Sequence, residues 1–255
     1  MPNFDTSFDF TRDTPGFCDN FWLNRGGLGR GGADPDSKSK TLQLYHRALW
    51  SRRLPNGQIM ELQIGRRGGS YCLQWENFIF ASDLLVNGYR WLRLKSLISD
   101  LERAIPNYKL ATESYVRKTY TIGGMLIFPR RRWSINQSRA CNPKILDRMD
   151  LTFECIRRFY ANQDSPLFSV LERDRAFFDL FVDFKGFVDF FFLQDIVSDD
   201  YGAVNIFFGS GDFSENPLPK NLGQWLAWRD KSADFIDRRN ARIAQFVGAR
   251  KGRGG

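Results

Sequence analysis

The chain reads as an α+β protein, with a small, mostly antiparallel sheet near the N-terminus packed by a predominantly helical C-terminal half. Three observations predict it. Short apolar runs bounded by Gly, Pro and Asn cluster in the first 130 residues. Apolar residues step by three and four along most of the remainder. The 255 residues, 24 of them Phe and 7 Trp, carry enough aromatic mass to build a sizeable core rather than a disordered coil.

Phe4, Thr6, Phe8 and Phe10 alternate with Asp5, Ser7 and Asp9, a period of two that predicts a short strand with one acidic or polar face. A Gly/Arg-rich loop follows at about 16–37, containing Arg25-Gly-Gly-Leu-Gly-Arg-Gly-Gly32. Asp34-Pro-Asp-Ser37 then turns the chain into a helix through Leu42, Tyr45 and Leu49, which ends before Pro55-Asn-Gly57. Ile59 to Ile64 and Tyr71 to Phe80 read as an antiparallel pair joined at Gly65-Arg-Arg-Gly-Gly69. Helices are predicted over Trp91–Ala104 and Tyr108–Tyr120, and a short strand over Met125–Phe128 after Gly123-Gly124.

Beyond it, Leu146, Met149, Phe153, Ile156 and Tyr160 make one apolar stripe. Leu167–Phe184 and Phe187–Val197 read as aromatic-rich helices broken near Gly186, and Val204–Phe208 as a strand. A long helix covers about Leu222–Val247, with Asp234 and Arg238 one turn apart. Residues 1–248 are read as one domain and 249–255 as a flexible basic tail.

The formal charge of +8 favours polyanionic partners. Cys18, Cys72, Cys141 and Cys155 form no C-x-x-C pair, no basic and apolar leader opens the chain, and no apolar run is long enough to span a bilayer. The expectation is a cytoplasmic protein with free thiols and no membrane partner. With one histidine, sites needing two or three are excluded, and there is no P-loop or Rossmann fingerprint.

Four constellations could carry chemistry. His46, beside Arg47, could act as a base or hold a phosphate, although a lone histidine is more often a satisfied boundary residue. Asp5, Asp9 and Asp183, with Asp174, Asp179, Asp189, Asp195, Asp199 and Asp200, could hold Mg²⁺ or act as acids; no other cofactor is evident, and a solvated acidic helix face explains the same spacing. Asp147, Asp150, Glu154 and Arg157 share a helix face on which Glu154 pairs with Arg157 or Arg158. Arg-Gly-Gly occurs at Arg25, Arg30, Arg67 and Arg253, and Arg130-Arg131-Arg132 precedes Trp133, residue types that contact phosphates and stack on bases. Arginine and glycine also share GC-rich codons, so drift produces the same triplets.

Several blocks identify a resemblance: Phe4 to Phe10, Asp34 to Ser51, Tyr120-Thr-Ile-Gly-Gly-Met125, Asp147 to Arg158, and Asp183 to Asp195. They resemble one bacterial family of unknown function over nearly the whole chain, with Phe17 to Ala33 as extra sequence. The resemblance implies one protein type and no mechanism. Three functions are weighed in order: a nucleic-acid-directed protein, binding single-stranded RNA or DNA or cutting it as a defence or toxin effector; a nucleotide- or small-molecule enzyme using His46, Arg47 and aspartates; and a scaffold using the Trp225–Val247 helix.

Overall fold

The computed structural model describes residues 4–15, 17, 33–86 and 95–251. Helices α1 (Pro35–Lys38) and α2 (Lys40–Trp50) precede an antiparallel sheet of β1 (Gln63–Arg67), β2 (Ser70–Trp75), β3 (Phe78–Leu84) and β4 (Met125–Pro129) in sequential order. Helices α3 (Lys95–Ala104) and α4 (Tyr108–Thr119) lie between β3 and β4. The C-terminal half is helical: α5 (Ile135–Cys141), α6 (Met149–Tyr160), α7 (Phe168–Arg173), α8 (Arg175–Phe178), α9 (Phe184–Phe191) and α10 (Leu222–Lys251).

Local chemistry accounts for the helix starts. Asp34 caps α1 by accepting from the Asp36 amide, with Pro35 at the first helical position, and Ser39 caps α2 at Leu42. The sheet is pinned by tight turns. Gly68 and Gly69 join β1 to β2 with φ of 55° and 74°, conformations that cost glycine little. The sheet and helices share one cluster of buried side chains running from Phe10 to Val247, dense in rings such as Phe177, Phe181, Phe187 and Phe191. No helix among the described residues is long and apolar enough to cross a membrane.

Six expectations are corrected. Phe4–Phe10 is not a strand: Asp5 and Asp9 each turn the backbone through their side chains, and a 3-10 helix starts at Phe10. The alternating phenylalanines still converge, with Phe4, Phe8 and Phe10 packed around Tyr45. The Tyr71–Phe80 strand is two strands, because Glu76 takes φ 48° and turns the chain. Ile59 makes only an isolated bridge with Arg53, and β1 begins four residues later, at Gln63. Val204 likewise bridges only to Val197, without a strand. The Leu167–Phe184 helix breaks into α7, α8 and a 3-10 turn. The chain then kinks at Val182, with φ 70°, so Gly186 lies inside α9 rather than at the break. Helix α10 also runs through Arg250, which the sequence placed in a flexible tail.

Candidate functional site: the Arg130–Trp133 loop

The loop between β4 and α5 presents Arg130, Arg131, Arg132 and Trp133, all exposed. Trp133 is 56% exposed yet firmly mounted. Its amide donates to Gln137 Oε1 at 2.8 Å, and its carbonyl accepts from Ser138 Oγ at 3.4 Å and from Arg173 at 3.1 Å. Its φ is 56°, a conformation that a bulky residue adopts only when its surroundings hold it there. Ser134 caps α5 directly behind it. Arg131 is neutralised by buried Asp174. Arg130 and Arg132 have no ion pair among the described residues, so two guanidinium groups without a carboxylate partner share this exposed loop with the indole. Arg25, Arg30 and Arg253 lie outside the described residues, as does Cys18.

The acid–base constellation predicted around His46 is not assembled. His46 is fully buried; its Nδ1 accepts from the Trp50 indole N–H at 3.0 Å, which leaves the proton on Nε2, 2.9 Å from Ser82 Oγ. Both ring nitrogens are therefore in use within the core. Asp5 is held by Ser7, whose hydroxyl and amide lower its pKa. Asp9 caps Thr11 and meets Arg117 at 3.3 Å. Asp183 caps α9 through the Gly186 amide. The kink at Val182 also removes the helix face that Asp179 and Asp183 were expected to share. Each acid serves its own turn, and among the described residues no three His, Cys, Asp or Glu side chains are gathered to hold a metal ion.

Sequence reasoning missed the most strongly perturbed acids. Arg139, fully buried, donates to Asp83 at 2.7 Å and to the carbonyls of Leu84, Leu85 and Asp147, all within 3.1 Å. Asp36 accepts from the Leu84 amide at 3.1 Å with Oδ2, while its Oδ1 is occluded without a partner. Burial, Asp34 and Asp83 raise the Asp36 pKa well above the carboxylate range; burial raises that of Asp83 to about 6 against the pull of Arg139. Only the fold reveals this cluster, because α1, β3 and α5 are distant in sequence. Glu154 does pair with Arg157 and Arg158 at 2.8 and 2.7 Å, and Asp150 pairs with Arg148. The apolar stripe of α10, including Trp225, Trp228, Ile236 and Ile243, is packed into the core, leaving the scaffold reading little surface. Cys72 and Cys155 are buried free thiols and Cys141 an exposed one.

The buried histidine defines a pH test. Burial first, then Arg239, lowers its pKa from 6.5 to about 3. The unfolded chain takes up the proton first as pH falls, so this stabilisation is present above 6.5 and lost toward about 3. Relative to His46→Gln, the wild type is expected to lose about 3 kcal/mol between about pH 7 and pH 4 in urea denaturation. A pH-independent difference between the two would contradict the neutral, buried imidazole.

Fold and loop together define a class, an α+β protein with a rigid aromatic–arginine loop on its surface. Within it, the chain belongs to the family of unknown function DUF6994, whose pattern it matches over residues 4–243. No curated protein and no solved structure matches it.

Proposed function

We propose that this protein binds single-stranded nucleic acid, with Trp133 stacking on a base and Arg130 and Arg132 meeting the flanking phosphates. The observation that carries the reading is an exposed indole whose backbone is held by three hydrogen bonds, on a loop that also carries two arginines without a carboxylate partner among the described residues. A backbone already held in place loses less entropy when the ring stacks. The net charge of +8 adds long-range attraction to the same ligand. The proposal is binding; the acids that were candidates for Mg²⁺-dependent cleavage are occupied at separate turns.

Labelled single-stranded RNA and DNA, titrated across a salt series, test it. Trp133→Ala is expected to cost about 1–3 kcal/mol of binding. Removing both Arg130 and Arg132 side chains as glutamines is expected to flatten the log–log salt slope by about 1.4, at about 0.7 per phosphate contact. Absence of binding at low salt, or a Trp133→Ala variant that binds like wild type, would overturn it.

A second reading, an acid–base enzyme acting on a small molecule, draws support from Asp36 and Asp83 rather than His46. An occluded carboxyl oxygen without a partner beside a carboxyl that titrates near 6 suits proton transfer. Screening nucleotides for a shift in the Asp83 carboxyl titration tests it, and an unchanged titration across the screen counts against it.

A further inference from the structure

A groove of about 500 Å³ runs between α2, the entry to β1 and the end of α10. Arg47 and Arg250 line it, with Ser51, Glu61, Leu62 and Gln63. Ser51 Oγ accepts from the Leu62 amide at 3.0 Å, which leaves its hydroxyl proton available to an acceptor in the groove. Behind Arg250 stands Arg52. Its guanidinium lies 4.3, 4.8 and 4.7 Å from the ring centres of Phe190, Phe192 and Phe246, and Arg250 lies 5.4 Å from the same Phe246 ring.

Two cations thus share one aromatic ring, and a third, Arg47, lines the same groove as Arg250. None of the three has a carboxylate partner among the described residues; Arg52 bonds the Phe190 carbonyl, Arg250 the Ala48 carbonyl, and Arg52 Nε is occluded without a partner. Burial first, and then the neighbouring Arg250, depress the Arg52 pKa to about 10. The C-terminal end of α10 and Glu61 offset part of that charge. The remainder, presented as forked N–H donors, fits a multiply charged tetrahedral anion.

We infer that this groove is a phosphate-binding site, with Arg47 and Arg250 as its donors and Arg52 reinforcing the field behind them. The inference stands apart from the Trp133 loop, yet the register places both at one end of the sheet. Gln63 pairs with Gln74, Gln74 with Ile79, and the Arg130 amide donates to the Ile79 carbonyl at 2.6 Å. Three inter-strand spacings, about 14 Å, separate β1 from β4 along that row. The phosphates could therefore belong to a nucleic-acid strand that also reaches Trp133, or to a free phosphate compound.

The test is calorimetric titration of the full chain with pyrophosphate in low-salt buffer, beside a single-stranded oligonucleotide. Arg47→Gln/Arg250→Gln changes two exposed side chains and is expected to keep the fold. Pyrophosphate should bind wild type and Trp133→Ala alike and weaken by about tenfold or more in the double variant. If oligonucleotide affinity also falls in the double variant, the groove takes nucleic-acid phosphates. If only pyrophosphate affinity falls, it takes a free phosphate compound. Pyrophosphate binding without any oligonucleotide binding leaves the groove standing and removes the Trp133 reading. Failure of wild type to bind pyrophosphate, or equal binding by the double variant, overturns the inference.

Discussion

Replacing Arg139 by methionine is expected to destabilise the protein by about 3–5 kcal/mol at neutral pH, the cost of leaving buried charge without its partner. Arg139 is fully buried and ties α5 to the end of β3 through Asp83 and the Leu84 and Leu85 carbonyls, and to Asp147 near the start of α6. Methionine matches much of its volume, so the loss is electrostatic and hydrogen-bonded rather than a cavity. The pH dependence separates these causes from misfolding. Without the guanidinium, Asp83 and Asp36 hold their protons still more tightly than now. A carboxyl whose folded pKa is raised contributes stability that is fully present below its unfolded value and lost as pH rises through the folded one. In the variant the folded value of Asp83 lies above its present value of about 6, so stability should be recovered as pH falls from there toward 3.8. Urea denaturation at neutral and mildly acid pH measures both numbers. A loss under about 1 kcal/mol would mean that the cluster is not held by Arg139.

Gly124→Ala is expected to cost more than about 3 kcal/mol or to prevent folding, because backbone blocks the added methyl. A Cβ there would collide with the Thr119 carbonyl, and one at Gly123 would lie 2.5 Å from the Ile236 carbonyl. Neither wall can step aside. The Gly123 amide bonds Asn240 of α10 at 2.7 Å, the Gly124 carbonyl accepts from Leu85, and Arg239 caps the Gly123 and Met125 carbonyls at 2.8 Å. Gly248→Ala, on α10 with nothing within 4 Å of the new methyl, is the control and should gain about 0.5–1 kcal/mol from helix propensity. Thermal denaturation of the two variants should move in opposite directions; equal shifts would remove the packing argument.

Much of the fold was legible because its signals are local. The 3.6-residue period predicted α2, α4, α6 and α10 to within a few residues, since amphipathic helices carry their period in consecutive side chains. Gly123-Gly124 marked the boundary between α4 and β4 correctly. The errors fell where a side chain overrides the pattern. Asp5 and Asp9 bond amides two residues on and turn an alternating segment that otherwise reads as a strand. Glu76 and Val182 adopt positive φ without a glycine to announce it.

The candidate sites divide along the same line. Arg130 to Trp133 was visible because its residues are contiguous and of types that can contact phosphates and stack on bases. His46 was also visible, but residue type could not reveal that Trp50 and Ser82 occupy both its nitrogens. The Asp36–Asp83–Arg139 cluster had no signal in the sequence, and of the Arg47–Arg52–Arg250 groove only Arg47 was singled out, since their members come from elements up to about 200 residues apart. By itself, then, the sequence determined the α+β class, the helical periods and the contiguous arginine–tryptophan run, all properties of neighbouring residues. Which charges are buried together, which are left unpaired and which meet across a groove was decided only by tertiary packing, because desolvation and Coulomb energies depend on distances that the chain sets only when it folds.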